Sequence, residues 1–529
     1  MTASDQGQLS GGHAVVDSLE RAGVELVFGI PGTHNLEIYR YLVDSHIRHV
    51  TPRHEQGGGY AADAYARVSG RPGVLLTTTG PGLTNACTAI GTAYADSVPL
   101  LVISPGMPTG KERLDLGWLH ELKDQHAHLA AITDRSHRVS TADEAAVVIG
   151  EAFARWQVER PRPVHVEIPV DVLEAAYQPQ PPRARPERAV GLPDVGEAAR
   201  ALAGCTDVVM IVGGGARKAC HQVGRIAELL AAPVVTTVNG KGVLPESHPL
   251  SLGASIRVDE AHEIIAAADG LLVVGTELGD SELWGQVVDA HDTVVRVDID
   301  PGQQHKNLVA THPLVADAAV VLTALTEALE PLPRAPSTRD VVALRERCDQ
   351  GALREGQPFV ELHDVLKEVL PAEAIIAGDS AQVSYFGTAH QWPAVRPGQF
   401  VYPAGYATLG YGIPGGIGAA LAAPDRAVVV IAGDGGTMFT IQEFATAVDL
   451  RLGLPVVVLD NGGFAEIREG MQSRGITPMG VDVRSPDFAL LGEALGGAGV
   501  RVDSAAAVGE QVRAALRRQV PTLIEFRTP

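Results

Sequence analysis

Short runs of aliphatic and β-branched residues, each ending in glycine or acidic residues, recur along the whole chain. The clearest are residues 428–431 (Val-Val-Val-Ile) and 455–459 (Pro-Val-Val-Val-Leu). Such runs are typical of strands that are buried on both faces of a parallel sheet. A helical pattern over residues 441–448 separates them, so this segment predicts a strand–helix–strand unit. The same alternation elsewhere predicts an α/β protein made of doubly wound parallel-sheet domains.

Polar residues follow both of these strands. Residues 432–436 read Ala-Gly-Asp-Gly-Gly, and Asp460, Asn461 and two glycines follow the second strand. Open α/β sheets bind ligands at the carboxyl ends of their strands, so Asp434 and Asn461 are expected to lie close together. A carboxylate, an amide oxygen and a backbone carbonyl suit a Mg²⁺ ion that also carries phosphate oxygens, although Gly-Asp-Gly is also a common simple turn. The glycines before the helix would expose N–H groups to the anion.

The N-terminal part has the same alternation. Residues 49–55 (His-Val-Thr-Pro-Arg-His-Glu) form a predicted strand that ends in charged residues, and a helix rich in small residues follows over 57–66. Residues 74–79 predict another buried strand, which ends in Gly80, Pro81 and Gly82. Glu55 is therefore a carboxylate at a strand end, where it could serve proton chemistry. The alternative is a solvated carboxylate near a helix start.

Taken together, these segments resemble the thiamine-diphosphate enzymes of the acetolactate synthase, pyruvate decarboxylase and benzoylformate decarboxylase superfamily. Their signature is Gly-Asp-Gly, a gap of this length, and then Asn. The resemblance implies that Asp434, Asn461 and the backbone carbonyl of Gly463 bind Mg²⁺. It implies that Glu55 hydrogen-bonds N1′ of the aminopyrimidine and so promotes loss of the C2 proton. Because the family shares each site between subunits, it also implies a homodimer at least, with a homotetramer expected.

The resemblance assigns the remaining cofactor contacts. Leu409 is expected as the apolar wedge under the bent cofactor, unless it is an ordinary core leucine, and the carbonyl of Ala407 is expected to accept from the 4′-amino group. Ser380 and Gln382 are candidates for the diphosphate. The full expected set is Gly32, Glu55, Ser380, Gln382, Ala407, Leu409, Gly433, Asp434, Gly435, Gly436, Thr437, Asn461, Gly463 and Phe464.

The reaction follows from a narrower resemblance. Residues 118–125, 275–279 and 474–478 resemble 5-guanidino-2-oxopentanoate (2-ketoarginine) decarboxylases, and the similarity extends over nearly the whole chain. This implies non-oxidative decarboxylation of a 2-oxo acid to an aldehyde and CO₂. One alternative is a carboligase that joins the enamine to a second oxo acid or aldehyde. A second alternative is a protein that binds the cofactor but acts as a scaffold.

Substrate contacts are expected on several polar residues. A guanidinium substrate needs a carboxylate partner, for which Glu121, Asp124 and Glu466 are candidates, although each could be a surface charge. Pyruvate decarboxylases carry an acid glutamate where this chain has Ile467, one residue beyond Glu466; the proton donor could then be His34, His54, His120 or water. The expected substrate set is Thr33, His34, Gly80, His120, Glu121 and Glu466, and the expected catalytic set is Glu55, His34, His120 and Glu466.

A glycine turn in the middle of the chain could suggest a dinucleotide site. Residues 207–216 predict a strand that enters three glycines, but Lys218 occupies the third glycine position of the dinucleotide motif. Acetolactate synthases bind FAD here through an arginine, and Glu277 stands at the corresponding position of residues 274–280. A carboxylate there would repel the phosphates, so FAD is not expected.

Composition fits a three-domain enzyme of this kind. The 529 residues are 45% hydrophobic and carry a net charge of −21, which disfavours nucleic acids and acidic membranes as partners. Four scattered cysteines and no apolar run of membrane-spanning length indicate a cytoplasmic protein. Proline-rich linkers over 178–188 and 330–339 predict a pyrimidine-binding domain (1–177), a central domain (189–329) and a diphosphate-binding domain (340–529).

Overall fold

Three parallel sheets follow one another along the chain in the computed structural model, which describes residues 9–179, 191–334 and 336–527. The strands of the first sheet are β1 (Leu26–Gly29), β2 (Arg48–Val50), β3 (Gly73–Leu76), β4 (Leu100–Gly106), β5 (Arg135–Arg138) and β6 (Val164–Pro169). Those of the second are β7 (Val208–Val212), β8 (Val234–Thr236), β9 (Gly270–Val274), β10 (Thr293–Asp298) and β11 (His312–Val315). Those of the third are β12 (Ile375–Gly378), β13 (Phe400–Val401), β14 (Val428–Gly433), β15 (Pro455–Asp460), β16 (Ala498–Val502) and β17 (Thr522–Arg527).

Helices connect these strands in each of the three parts. The first part contains α1 (Gly11–Arg21), α2 (Leu36–Leu42), α3 (Glu55–Ser69), α4 (Pro81–Ala95), α5 (Gln125–Ala130), α6 (Ala142–Arg155) and α7 (Val170–Glu174). The second contains α8 (Gly196–Gly204), α9 (Cys220–Leu230), α10 (Asp259–Ala266), α11 (Asp280–Leu283) and α12 (Ala318–Leu329). The third contains α13 (Val341–Gly356), α14 (Val360–Val369), α15 (Ala389–Gln391), α16 (Gly412–Ala422), α17 (Asp434–Thr440), α18 (Glu443–Asp449), α19 (Ala465–Ser473), α20 (Phe488–Ala494) and α21 (Ala505–Ala515). None of the helices in the described ranges is long and apolar enough to cross a membrane.

The first and third sheets share one strand order. The first runs β2-β1-β3-β4-β6-β5 and the third runs β13-β12-β14-β15-β17-β16, whereas the central sheet runs β11-β10-β9-β7-β8. In the outer sheets the order reverses between β1 and β3 and between β12 and β14. Ligands of doubly wound sheets bind at such switch points, beyond the carboxyl ends of the strands. The fold therefore predicts two half-sites, one on each outer sheet.

Each sheet has a hydrophobic core on both of its faces. In β14, Val428 and Val430 pack into one core, and Val429 and Ile431 pack into another on the opposite face. Side chains of a strand point alternately to the two faces, so an unbroken apolar run fills both cores. The same division occurs in the first and central sheets. The predicted class, α/β with three doubly wound parallel-sheet domains, is confirmed.

Both predicted linkers lie between sheets. Of the first, 178–188, only residues 178 and 179 fall inside the described residues. The second, 330–339, joins α12 to α13, and residue 335 lies outside the described residues. The domain boundaries chosen from these linkers stay a prediction. The helix predicted over 441–448 corresponds to α18, which begins two residues later at Glu443; a separate helix, α17, precedes it and ends at Thr440.

Helices α3 and α16 hold the two outer domains together. Their backbones come so close that a Cβ atom on Gly418 of α16 would overlap the carbonyl oxygen of Ala61 on α3. A Cβ atom on Gly59, which also lies on α3, would be 2.5 Å from the Cβ of Ala89 on α4. The small residues that predicted α3 from the sequence are thus required by its tight packing on both sides.

A buried ion network around Arg67 joins all three domains. The Arg67 guanidinium on α3 donates to Asp63 at 2.6 Å and to Asp96 at 2.8 Å. Tyr411, from the diphosphate side, donates to Asp63 at 2.7 Å, and Asn239, from the central domain, donates to Asp96 at 2.9 Å. Burial raises the pKa of the Asp63 carboxyl, and the Arg67 guanidinium opposes that shift. Arg67 therefore pairs directly with two buried carboxylates.

Replacing Arg67 by methionine should destabilise the protein strongly. Arg67→Met leaves Asp63 and Asp96 buried without their cation, which costs about 3–5 kcal/mol. Urea unfolding followed by circular dichroism measures the change. Arg71→Met is the matched control, because Arg71 pairs with Glu25 at the exposed surface and exposed ion pairs contribute little. Equal shifts of the unfolding midpoint for the two variants would contradict the role given to the network.

Candidate active site

Asp434 and Asn461 lie side by side at the end of the third sheet. Strands β14 and β15 are neighbours, with Gly433 opposite Leu459 in the register. Asp434 is the first residue of α17, directly after β14, and Asn461 directly follows β15. The Oδ2 atom of Asp434 accepts from the backbone N–H of Gly463 at 2.8 Å and from Ser485 Oγ at 2.6 Å. These bonds fix the carboxylate and leave its Oδ1 atom to face Asn461.

The three groups expected to bind Mg²⁺ converge. One terminal atom of the Asn461 amide lies 3.3 Å from Asp434 Oδ1 and 3.0 Å from the Gly463 carbonyl oxygen. If this atom is the amide nitrogen, it donates to Asp434 Oδ1 and to the Gly463 carbonyl oxygen. If it is the amide oxygen, these three oxygens face one another, as they do around a bound cation. The assignment of an amide's two atoms follows from its partners. Adjacent oxygens of an octahedral Mg²⁺ site lie about 3 Å apart, given metal–oxygen distances of about 2.1 Å. The residues present thus fit a magnesium ion.

Charge at this position also favours a cation. Burial raises the pKa of the Asp434 carboxyl, and the nearby Asp460 carboxylate adds to the increase. Ser485 bridges the two carboxylates, since its hydroxyl lies 2.6 Å from Asp434 Oδ2 and 2.9 Å from Asp460 Oδ1. Sequence reasoning missed Ser485, because it lies in a loop with no motif around it.

The glycines after β14 leave room beside Asp434. A Cβ on Gly435 would lie 2.7 Å from the ring of Phe464, and one on Gly436 would lie 3.0 Å from Asp379 Oδ1. Gly433 caps α17, and its carbonyl oxygen accepts from Thr437 Oγ1 at 2.8 Å. Gly435 and Gly436, in the first turn of α17, thus present backbone without side chains, as a phosphate cradle requires.

Asp379 organises the neighbouring loop and was not among the predicted site residues. It follows β12, is buried, and accepts from the backbone N–H groups of Ser380 at 2.7 Å, Gly410 at 3.0 Å and Gly412 at 3.2 Å. Burial raises the pKa of Asp379 to about 6. The rule that found Asp434, an acidic residue directly after a buried strand, also applies to Asp379.

The loop that Asp379 holds contains the predicted cofactor residues Ala407 and Leu409. Ala407 has a φ of 50°, in the left-handed region, and its N–H donates to Pro403 O at 2.8 Å. A non-glycine residue held there is uncommon and often lies at a functional site. Leu409 is half-buried, so its side chain keeps a free surface.

The predicted diphosphate residues Ser380 and Gln382 differ in their surroundings. The N–H of Ser380 is bound to Asp379. The Gln382 amide donates to Glu466 at 3.0 Å and to Glu469 at 2.9 Å. Gln382 therefore contacts α19 in this structure.

Glu55 is the first residue of α3 and is buried. Asn85 Nδ2 donates to its Oε2 atom at 2.9 Å, and a Cβ on Gly82 would lie 2.9 Å from its Oε1 atom. The preceding turn is anchored by Glu443, which accepts from the N–H groups of Arg53 at 3.1 Å and His54 at 2.9 Å. Asn85 and Glu443 were missed by sequence reasoning because their partners lie far away along the chain.

His34, Gly80 and His120 form one group near the end of the first sheet. The His34 and His120 ring centroids are 5.2 Å apart, and the Nδ1 atom of each is buried without a hydrogen-bond partner. Gly80 has a φ of 64°, and a Cβ there would lie 2.9 Å from His120 Cβ. Burial lowers the pKa of His34, and His120 adds to the decrease. Gly32 is held beside this group by Asn35, whose Oδ1 accepts from its N–H at 2.8 Å.

The other predicted substrate residues lie apart from this group or have partners of their own. Thr33 is exposed. Glu121 accepts from the N–H of Trp118 at 2.9 Å, and Asp124 caps α5 by accepting from Ala127 N at 2.9 Å. Glu466 is exposed on α19 and accepts from Tyr385 OH at 2.9 Å.

The site residues of one chain thus form two groups. One surrounds Glu55 and His34 on the first sheet, and the other surrounds Asp434 on the third. Within the described part of the chain, no hydrogen bond links Glu55 to Asp434 or Asn461.

Glu277 joins the central domain to the first domain. Its carboxylate forms ion pairs with Arg160 and, at 3.8 Å, with Arg162. Burial lowers the pKa of Arg160. The expectation that FAD does not bind here stays a prediction.

Comparison with known proteins gives the class of this chain. Residues 9–128 match the family description "Thiamine pyrophosphate enzyme, N-terminal TPP binding domain", 195–325 match its central domain, and 380–526 match its C-terminal TPP binding domain. The chain belongs to the thiamine pyrophosphate enzymes.

Individual relatives refine this result. The chain is 42% identical to the "Probable 2-ketoarginine decarboxylase AruI" of Pseudomonas aeruginosa, over 99% of this chain and 94% of the relative. It is 31% identical to the "Probable acetolactate synthase large subunit" of Methanocaldococcus jannaschii, over 98% and 92%. It is 33% identical to the "Acetolactate synthase isozyme 1 large subunit" of Escherichia coli, over 87% and 83%. The family resemblance drawn from the sequence is confirmed.

The titration of Asp379 should be visible in the stability of the protein. Burial raises the pKa of Asp379 from 3.8 to about 6. The contribution of its protonated carboxyl to the free energy of unfolding is therefore complete below pH 3.8 and is lost as the pH rises through about 6. We expect the stability difference between wild type and Asp379→Asn to fall by about 3 kcal/mol from about pH 4 to about pH 7. Urea unfolding at several pH values measures it. A difference that stays constant with pH would contradict the burial of this charge.

Proposed function

We propose that the protein is a thiamine-diphosphate- and Mg²⁺-dependent decarboxylase that converts a 2-oxo acid to an aldehyde and CO₂ without oxidation. A 2-oxo acid with a guanidino side chain is the proposed substrate. The observation that carries this proposal is the 42% identity, over 99% of the chain, to a probable 2-ketoarginine decarboxylase. The convergent oxygens at Asp434 and the buried Glu55 support it.

The diphosphate end of the cofactor is proposed to bind the third domain. Asp434, Asn461 and the Gly463 carbonyl would hold Mg²⁺, and the bare N–H groups at the start of α17 would face the phosphates. Asp379 would position the loop that carries Ala407 and Leu409. When bound, the cofactor supplies the carbanion and the electron sink for decarboxylation.

Glu55 is proposed to act at the aminopyrimidine ring. Asn85 occupies its Oε2 atom, whereas Oε1 lies beside Gly82, which has no side chain to cover it. This leaves Oε1 to hold a proton against the ring nitrogen. The anchoring of the preceding turn by Glu443 would keep the carboxylate in place.

His34 and His120 are proposed to contact the substrate. Burial lowers the pKa of His34, so this imidazole is neutral near pH 7 and can donate or accept a hydrogen bond. The unpartnered Nδ1 atoms of both rings are free to orient a carboxylate or to deliver a proton to the product. Glu466, oriented by Tyr385, is the second candidate for proton delivery.

The proposed assembly is a homodimer at least, with a homotetramer expected. Exposed apolar side chains lie near both groups of site residues, which is typical of surfaces that are covered by another chain. They are Leu114, Leu116, Trp118 and Leu119 on the His120 side, and Met438, Phe439 and Met479 on the Asp434 side. A second copy could cover both surfaces and complete each site.

Carboligation is the second candidate function. It is favoured by the 31–33% identity to acetolactate synthases. Incubation with pyruvate, benzoylformate and 2-ketoarginine, with assay of CO₂ and identification of the organic product, separates the two functions. We expect CO₂ and 4-guanidinobutyraldehyde from 2-ketoarginine. Acetolactate from pyruvate as the main product would refute the decarboxylase assignment.

Glu55→Gln should slow turnover by at least about a hundredfold, because it removes a positioned proton-transfer group. Cofactor binding should stay largely intact, since the amide keeps the shape of the carboxylate. CO₂ release and calorimetric binding of thiamine diphosphate measure the two properties. Glu25→Gln, the same change at the exposed surface, is the control and should be without effect. Near-normal turnover would remove Glu55 from the mechanism.

Asp434→Asn should weaken Mg²⁺-dependent binding of thiamine diphosphate. Loss of a residue that hydrogen-bonds to a metal ligand lowers metal affinity about 10- to 100-fold. Loss of a ligand itself should lower it at least as much. Calorimetric titration at several Mg²⁺ concentrations measures the effect. Asp503→Asn, at an exposed aspartate, is the matched control. Equal cofactor affinity with and without Mg²⁺ in the wild type would exclude the metal site.

A further inference from the structure

A cavity of about 120 Å³ lies in the first domain, and Gln125 in its lining accepts a hydrogen bond from the N–H of Gly80. It is bounded by the ends of β4, β5 and β6 and by the segment that leads to α5. Its polar lining consists mainly of charged side chains, namely Glu112, Asp124, Glu167, Arg113 and Arg138, together with Gln125. Of the acidic residues, sequence reasoning had singled out only Asp124.

The lining contains three acidic side chains and two arginines, together with His126. Glu167 is 3% exposed, and its Oε1 atom pairs with Arg138. Its Oε2 atom is buried without a hydrogen-bond partner. Glu112 Oε2 is also buried and accepts no hydrogen bond, although Arg138 lies 3.4 Å away. Arg113 is 3.7 Å from Asp124. Buried acceptors without donors are costly, so this site calls for an additional donor.

The cavity is connected to Glu55 by one short loop. Gln125, in its wall, accepts from Thr79 Oγ1 at 2.8 Å and from the N–H of Gly80 at 3.0 Å. Gly80 lies against His120, and Gly82 lies against Glu55 Oε1. A substrate held beside His120 could therefore extend its side chain past Gly80 and Gln125 into the cavity.

We propose that this cavity binds the guanidinium group of the substrate, through Glu167 and Glu112 with Asp124 at its rim. This inference rests on the proposed decarboxylase function and names the part of the site that selects the side chain. A guanidinium group supplies a planar array of N–H donors that matches carboxylate oxygens. It would also bring a positive charge beside the three acidic side chains.

The electrostatics of Glu167 agree with this assignment. Burial raises the pKa of its carboxyl; Arg138 opposes the shift, while Asp124 and Glu112 add to it. A second cation beside Glu167 would stabilise its ionised form. Glu121 and Glu466, the other acidic candidates from the sequence, are not among the residues that line this cavity.

Two conservative variants test the proposal in the holoenzyme. Glu112→Gln and Asp124→Asn each remove one charge while keeping the size of the side chain, and asparagine still caps α5. We expect each to lower kcat/KM for 2-ketoarginine at least about tenfold, the effect of losing a hydrogen bond to a charged group. We expect kcat/KM for 2-oxohexanoate, which has an uncharged side chain, to change less than about twofold. Glu174→Gln, at an exposed glutamate, is the matched control.

A binding measurement distinguishes failure of this subsite from failure of the proposed function. Calorimetry of 2-ketoarginine with the cofactor-loaded Glu55→Gln protein, with and without Glu112→Gln, reports affinity while turnover is slow. Weaker binding in the double variant supports the subsite even if wild type releases no CO₂, in which case only the decarboxylase function fails. Unchanged affinity, or equal losses of kcat/KM for both substrates, would overturn the subsite and leave the decarboxylase standing.

Discussion

The Arg67 network is the constraint on which the rest of the structure depends. A single guanidinium satisfies Asp63 and Asp96, and through Tyr411 and Asn239 it fixes the other two domains against α3. Removal of any one member leaves a buried charge or dipole unpaired, which costs more than the network contributes as a whole. Because α3 begins with Glu55, the same interaction that joins the domains also sets the position of the candidate catalytic carboxylate.

The two half-sites follow from one topological rule applied twice. The outer sheets share a strand order, and in each several of the site residues follow the strands that flank the switch point. On the third sheet these are Asp379 after β12 and Asp434 after β14; on the first, His34 lies beyond β1 and Gly80 beyond β3. Charged side chains and exposed backbone N–H groups occur there because the strands lead into loops, and loops can hold polar side chains.

Site residues that directly follow strands with an unbroken apolar run could be predicted from the sequence. The buried runs over 428–431 and 455–459 identified β14 and β15, and with them Asp434 and Asn461, because local pattern determines both the strand and its end. The partners of these residues could not be predicted in this way. Glu443 meets the turn before Glu55 only through tertiary packing, and Glu112 and Glu167 share a cavity because β6 and the segment before α5 meet in space. Such contacts depend on long-range geometry that has no local signature.

The contact between Gly418 and Ala61 has a consequence for how small molecules reach the interior. Backbones that touch without intervening side chains cannot slide or rotate without losing close packing along the whole length of the pair. This contact therefore disfavours hinge motion between the outer domains of one chain. Access to the site is therefore expected to depend on movements smaller than a rotation of one domain against the other.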